Sequence, residues 1–262
     1  MLSISAAQMD AFLVAWCYPL ARILAMVGTS PLFGNSTIPR RVRIAIGLVL
    51  GFAIVPVLPQ APAIQPGTWN GVATFIMQIL IGVSMGLTMR LVFTAVDMAG
   101  DIIGLQMGLS FAVFFDPSSS GRTAVLAQIL TLMASLVFLS LNGHLFLIRV
   151  LATSFELVPI GGGAISGSAW LVLMRIGTIV FGTGLLMSLP LVAALLVTNI
   201  ALAVLTRSAP QLNIFAIGFP ITSTIGMLVL IVTLNAFAPL FQNLFDQGFN
   251  LIGVFLKTLP VH

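Results

Sequence analysis

Residues 176–206, IGTIVFGTGLLMSLPLVAALLVTNIALAVLT, contain no Asp, Glu, Lys or Arg. A helix needs only about 20 predominantly apolar residues to cross the hydrocarbon core of a bilayer. This stretch alone is long enough. Outward from it, residues 44–89, 123–148 and 208–245 are equally free of those four residue types. Soluble domains carry about a quarter charged residues, whereas only 6% of these 262 residues are charged and 59% are hydrophobic. The mean hydropathy is +1.18. The fold class is therefore an all-α integral membrane protein, and a soluble enzyme is excluded.

Hydrophobic runs separated by Pro, Gly, Ser and charge predict six to seven helical segments, at 11–30, 44–58, 70–96, 98–112, 124–151, 170–205 and 213–243. Between them lie Pro31, Gly34, Asn35 and Pro39, then Pro56, Pro59, Pro62 and Pro66, and later Asp116-Pro117-Ser-Ser-Ser-Gly121 and Gly161-Gly162-Gly163. Each proline lacks an N–H and clashes with the preceding turn, so these stretches interrupt helices. Segment 44–58 is short for a span. Segment 170–205 is long for one, and Pro190 is expected to kink it or to split it into a hairpin.

The net charge of +4 comes with no basic cluster beyond Arg40, Arg41 and Arg43. The other basic residues are scattered singly, as expected of helix-end anchors and interior ion pairs. No nucleic acid is expected. With Arg40, Arg41 and Arg43 placed in the cytoplasm, Arg122 and Arg207 fall on the same side, and Arg149, Arg175 and Lys257 on the other. That bias is too weak to fix orientation. No Lys or Arg precedes Arg22, so no basic leader region is read and the first helix is expected to remain in the mature chain. Cys17 is the single cysteine, which allows no disulfide within the chain.

Glycines recur every four residues at Gly47 and Gly51, at Gly82 and Gly86, and at Gly100, Gly104 and Gly108. Such spacing removes side chains from one helix face and lets backbones approach. The triple repeat predicts an intimate helix contact.

Chemistry requires positioned bases, nucleophiles or ligands, and the chain offers two His, one Cys and six acids. None stands at metal-ligand spacing, and no Gly-rich phosphate loop is present. Neither an enzyme nor a cofactor is expected. Arg90, Asp97 and Asp101, at offsets of seven and four, share one helical face with Thr94. They read as a structural ion pair, as the wall of an aqueous path, or as a proton relay. Arg22 reads as an anchor, and His144 as a helix-end histidine or a titrating group.

The most unusual stretch is 104–122, Gly-Leu-Gln-Met-Gly-Leu-Ser-Phe-Ala-Val-Phe-Phe-Asp-Pro-Ser-Ser-Ser-Gly-Arg. A glycine-ridged helix presents Met107, Phe111, Phe114 and Phe115, then breaks at Asp116-Pro117. Bulky apolar groups beside a Ser/Gly tract can plug an aqueous passage, because a hydrophobic constriction empties itself of water. The same residues also fit an ordinary helix end with core aromatics.

Gly104-Leu-Gln-Met-Gly108-Leu-Ser-Phe-Ala with Asp116-Pro117, then Asn142-Gly143-His144-Leu145, Pro159-Ile160-Gly161, and finally Thr206-Arg-Ser-Ala-Pro-Gln-Leu-Asn-Ile-Phe215 with Gly218-Phe219-Pro220, resemble in order the FliR family. That family is the R component of the type III secretion export gate and has flagellar and virulence-associated members. The similarity spans the whole chain, and the motif set leans flagellar.

The resemblance implies a single integral-membrane export-gate domain over 1–262, similar in architecture to a P-like half fused to a Q-like C-terminal hairpin. Its kinked helices would form hairpins raised partly toward the periplasm. One copy would join several P and Q components, with the A and B export components and rod proteins as further partners. The assembly would be a plugged channel in the bacterial inner membrane, at the flagellar basal body, for unfolded flagellar proteins. By the same carry-over, residues 106–122 are the plug, with Met107, Leu109, Phe111, Phe114, Phe115, Asp116 and Pro117 as its candidates. The alternative is a small-molecule or ion transporter, which would show two related halves and a mid-membrane ionisable site. No repeat relates the halves here, and Arg90, Asp97 and Asp101 have no counterpart near 176–245.

Overall fold

The computed structural model describes residues 6–58, 64, 67–109, 125–162, 167–209, 211 and 214–259, with side chains for all of these except 6–14 and 214–216. Among them are seven α-helices and no strand: α1 (Ala6–Thr29), α2 (Arg40–Ile54), α3 (Trp69–Gln106), α4 (Val125–Ser140), α5 (Gly143–Leu157), α6 (Gly167–Ser208) and α7 (Ile214–Thr258). A short 3-10 turn at Val55–Val57 follows α2. The all-helical class read from the sequence is the observed one. Helices α3, α6 and α7 are long and apolar enough to cross a membrane, and α4 with α5 add a fourth span if that bent pair counts as one.

Several boundaries differ from the sequence reading, each for a local reason. Helix α3 runs unbroken through Asp97, where the sequence suggested a division, because the Asp97 carboxylate accepts the Thr131 hydroxyl of α4. Segment 124–151 is two helices, not one. Asn142 adopts φ 56°, a left-handed conformation that Asn tolerates better than most residues, and its carbonyl accepts the first N–H groups of α5, from Leu145 and Phe146. Pro190 lies inside α6 without splitting it into a hairpin. A lone proline kinks a helix, and neither Gly nor Asn stands beside it to turn the chain back. Helix α7 passes residue 243 and reaches Thr258, where Phe245, Ile252, Phe255 and Leu256 supply a buried face.

The chain forms two compact units, one of Met1–Leu91, Asn142–Gly177 and Phe245–His262, the other of Val92–Leu141 and Thr178–Leu244. In the first, the glycine pairs let helices meet backbone to side chain. The Gly47 and Gly51 positions of α2 receive Leu24 and Leu20 of α1. A Cβ at Gly82 of α3 would strike the Arg22 carbonyl, and one at Gly86 would lie 2.7 Å from the Met26 carbonyl. Phe146 of α5 meets Phe249 of α7 in a tilted ring contact, 4.3 Å from ring centre to ring centre.

At the centre of this unit Arg22 is wholly buried. Its Nε donates to Gln78 Oε1 at 2.8 Å, Nη1 to the Ser154 carbonyl at 2.8 Å and its Oγ at 3.1 Å, and Nη2 to the Val158 carbonyl at 2.9 Å. The guanidinium also sits 4.2 Å from the Phe155 ring centre. Helix C-termini leave carbonyls without intrahelical partners and carry partial negative charge. Arg22 supplies a donor to the Val158 carbonyl and a second one to the Ser154 carbonyl, which also accepts the Val158 N–H, so a charge in an apolar unit is held by oriented neutral oxygens.

In the second unit, α4 buries Leu126, Leu130, Ala134 and Phe138, spaced four apart along one face, with Ala127 beside them, and exposes Val125, Ile129, Leu132 and Leu136. Phe93 of α3 meets Phe138 edge-on at 5.6 Å. On the other side of α3, Gly184 of α6 lies where a Cβ would come within 2.9 Å of the Ala95 carbonyl.

Candidate functional site

The end of α3 leads into the stretch singled out from the sequence. Here the helix stops in a defined way. The Leu109 N–H donates to the Gly104 carbonyl at 3.0 Å and the Gly108 N–H to the Leu105 carbonyl at 3.1 Å. Gly108 has φ 78°. This pair of bonds around a left-handed residue is the Schellman stop, where glycine avoids the strain a Cβ would introduce. Gly108 thus ends α3, while Gly100 packs it. A Cβ at Gly100 would lie 2.7 Å from the Ala127 nitrogen of α4. Among the described residues, a Cβ at Gly104 would meet nothing within 4 Å.

Met107 is buried. Its carbonyl accepts hydroxyl bonds from Thr222 (3.2 Å) and Ser223 (3.3 Å) of α7. Its side chain fills the space over Gly226, where a Cβ would stand 2.6 Å from Met107 Cγ. Leu109 is half-buried. The other plug candidates, Phe111, Phe114, Phe115, Asp116 and Pro117, lie outside the described residues.

The charged face of α3 is open except at Asp97, which meets α4. Arg90, Thr94 and Asp101 are exposed and Asp97 is half-buried against Thr131. His144 is half-buried, with a buried Nδ1 that lacks a hydrogen-bond partner among the described residues. No group of three or more His, Cys, Asp or Glu among the described residues is placed to hold a metal ion.

Sequence reasoning did not find Thr222, Ser223 or Gly226. Their spacing was a usable signal, because residues at i, i+1 and i+4 crowd one side of a helix, and a small-polar cluster on an apolar helix is a place for another backbone to dock. Gln78 and Ser154, the partners of Arg22, carried no comparable signal, since only folding brings them within reach.

The sequence pattern of bacterial export proteins, family 1, matches residues 13–248. The chain belongs to this family. Over 261 residues, and over the full length of both chains, it is 41% identical to the flagellar biosynthetic protein FliR of Escherichia coli (strain K12). It is likewise 41% identical to FliR of Pectobacterium carotovorum over 99% of each chain. FliR of Aquifex aeolicus is 30% identical over 95% of this chain and 96% of its own. This member of the export family therefore has helices suited to a membrane and relatives named for flagellar biosynthesis.

Proposed function

We propose that this export-family chain is a non-enzymatic subunit of a flagellar type III export gate. One copy joins several P and Q components in the inner membrane to form a channel for unfolded flagellar proteins. The 262 residues act as one export-gate subunit, and residues 106–122 form the plug that closes the channel. Full-length similarity to flagellar biosynthetic proteins supports the flagellar assignment.

The observation that carries the assembly is apolar length without cover. Only 11% of the most apolar window of α6 is buried, and 17% of that of α7. Phe181, Leu186, Val197, Val204 and Val232 are among the exposed residues. At about 1.5 Å per residue, the charge-free part of α6 alone, 176–206, has a contour of roughly 46 Å. Hydrocarbon covers about 30 Å, and a steep tilt of about 40° still leaves roughly 35 Å along the membrane normal. Lipid cannot cover all of it. Neighbouring protein helices can, and the exposed Arg90, Thr94 and Asp101 then face water or those neighbours rather than acyl chains.

Native mass spectrometry of the tagged chain, extracted in mild detergent after co-expression with its genomic neighbours, tests this reading. The expected species holds one copy with several copies of two smaller membrane proteins. A monomer or homodimer without partners overturns it, and saturable solute uptake by such a species would establish a transporter instead.

A further inference from the structure

A helix leaves its last four carbonyls without intrahelical donors. In α3 the stop at Gly108 satisfies two of them, those of Gly104 and Leu105. The Met107 carbonyl turns instead to α7. Thr222 has one hydroxyl proton and also lies within reach of the Gly218 carbonyl at 3.0 Å, whereas Ser223 points its hydroxyl at Met107. Four residues along from Thr222, Gly226 supplies the recess for the thioether chain. Backbone and side chain of one residue are thus held by three positions on one face of α7.

We infer that Met107, gripped by Thr222, Ser223 and Gly226, is a positioning residue: it fixes the point from which the plug departs and ties that point to α7. The inference rests on the plug reading given above. It assigns Met107 a role at the root of the plug, and it makes α7 the element whose position decides where the plug begins. Polar contacts between apolar helices are individually weak, so the hydroxyls alone hold loosely and the Gly226 recess supplies shape.

The test uses the chain co-expressed with its P and Q partners, with complex yield and small-solute leak measured in the same cells. Gly226→Val, which evicts the Met107 side chain, and the double variant Thr222→Val/Ser223→Ala are each expected to raise leak several-fold while the complex assembles normally. Ser223→Thr, which keeps a hydroxyl, is expected to stay tight. Deleting 110–115 serves as the reference. If the deletion leaks and both anchor variants remain tight in intact complexes, the anchor inference fails and the plug reading stands. If the deletion itself does not leak, the plug reading fails and the inference falls with it.

Should the anchor variants not assemble, a Met107→Cys/Gly226→Cys pair in a Cys17→Ser background decides the geometry. The pair is expected to form a disulfide in the assembled complex and to leave it tight. Absence of that cross-link under oxidising conditions overturns the inference.

Discussion

The Nη1 of Arg22 donates to the Ser154 carbonyl at 2.8 Å across 132 positions of sequence. With Gln78 and Val158 completing the set, one side chain fastens α1 to α3 and to the end of α5. The arrangement is planar and multidentate, which a guanidinium can serve and an ammonium cannot.

Arg22→Leu should therefore destabilise the chain severely. Each buried oxygen left without a donor costs about 1–3 kcal/mol. Arg22→Lys should recover only part of the loss. Unfolding midpoints in mild detergent check this, and a Leu variant as stable as the parent would refute the fastening role.

Gly100 and Gly104 stand one helical turn apart in opposite surroundings. Gly100→Ala drives a methyl into Ala127 and should destabilise by about 1–3 kcal/mol, the usual cost of overpacking. Gly104→Ala meets open space and should stabilise the isolated chain by up to about 1 kcal/mol through helix propensity. The two midpoints should move in opposite directions. Gly104→Leu should fold yet give less complex with P and Q, because the space at Gly104 is then filled in the assembly; normal complex yield would remove Gly104 from the interface.

Val232 is 79% exposed on α7. In a Cys17→Ser background, Val232→Cys should react readily with a membrane-permeable maleimide in the chain expressed alone. Co-expression with the partners should protect it. Equal labelling in both states would mean that this face looks into lipid.

Removing 110–115 should make cells expressing the complete complex permeable to ions or small solutes. The motive is the apolar run of Phe111, Phe114 and Phe115. Unchanged permeability with a normal yield of complex would sink the plug assignment.

Much of this fold was legible because lipid imposes simple demands. The charge-free runs announced α3, α6 and α7, and the paired glycines announced close packing at Gly47, Gly51, Gly82 and Gly86, though not that α1 is the partner. All but one of the misread boundaries share a cause: a charge or a proline was taken as a stop. Asp97 and Asp246 continue their helices, since a carboxylate that finds a hydroxyl or an exposed position does not break the backbone ladder. The Asn142-Gly143 pair was a true stop with a known signal, left-handed Asn, that hydropathy overrode. Of the candidate site, the root at Met107 and Gly108 was legible as unusual, but its grip by α7 was not. It joins residues 115 and 116 positions apart, and no periodicity in one helix reports which distant face will receive it.

The uncovered length of α6 and α7 also bears on the life of the chain before assembly. A newly made copy on its own exposes Phe181, Val197 and Val232, on helices longer than the surrounding lipid can shelter. Its alternatives are promiscuous clustering or removal by proteases, and either drains the unassembled pool. If the proposed assembly holds, the amount of chain retained should follow the supply of its partners more than its own rate of synthesis, and surplus copies should be short-lived.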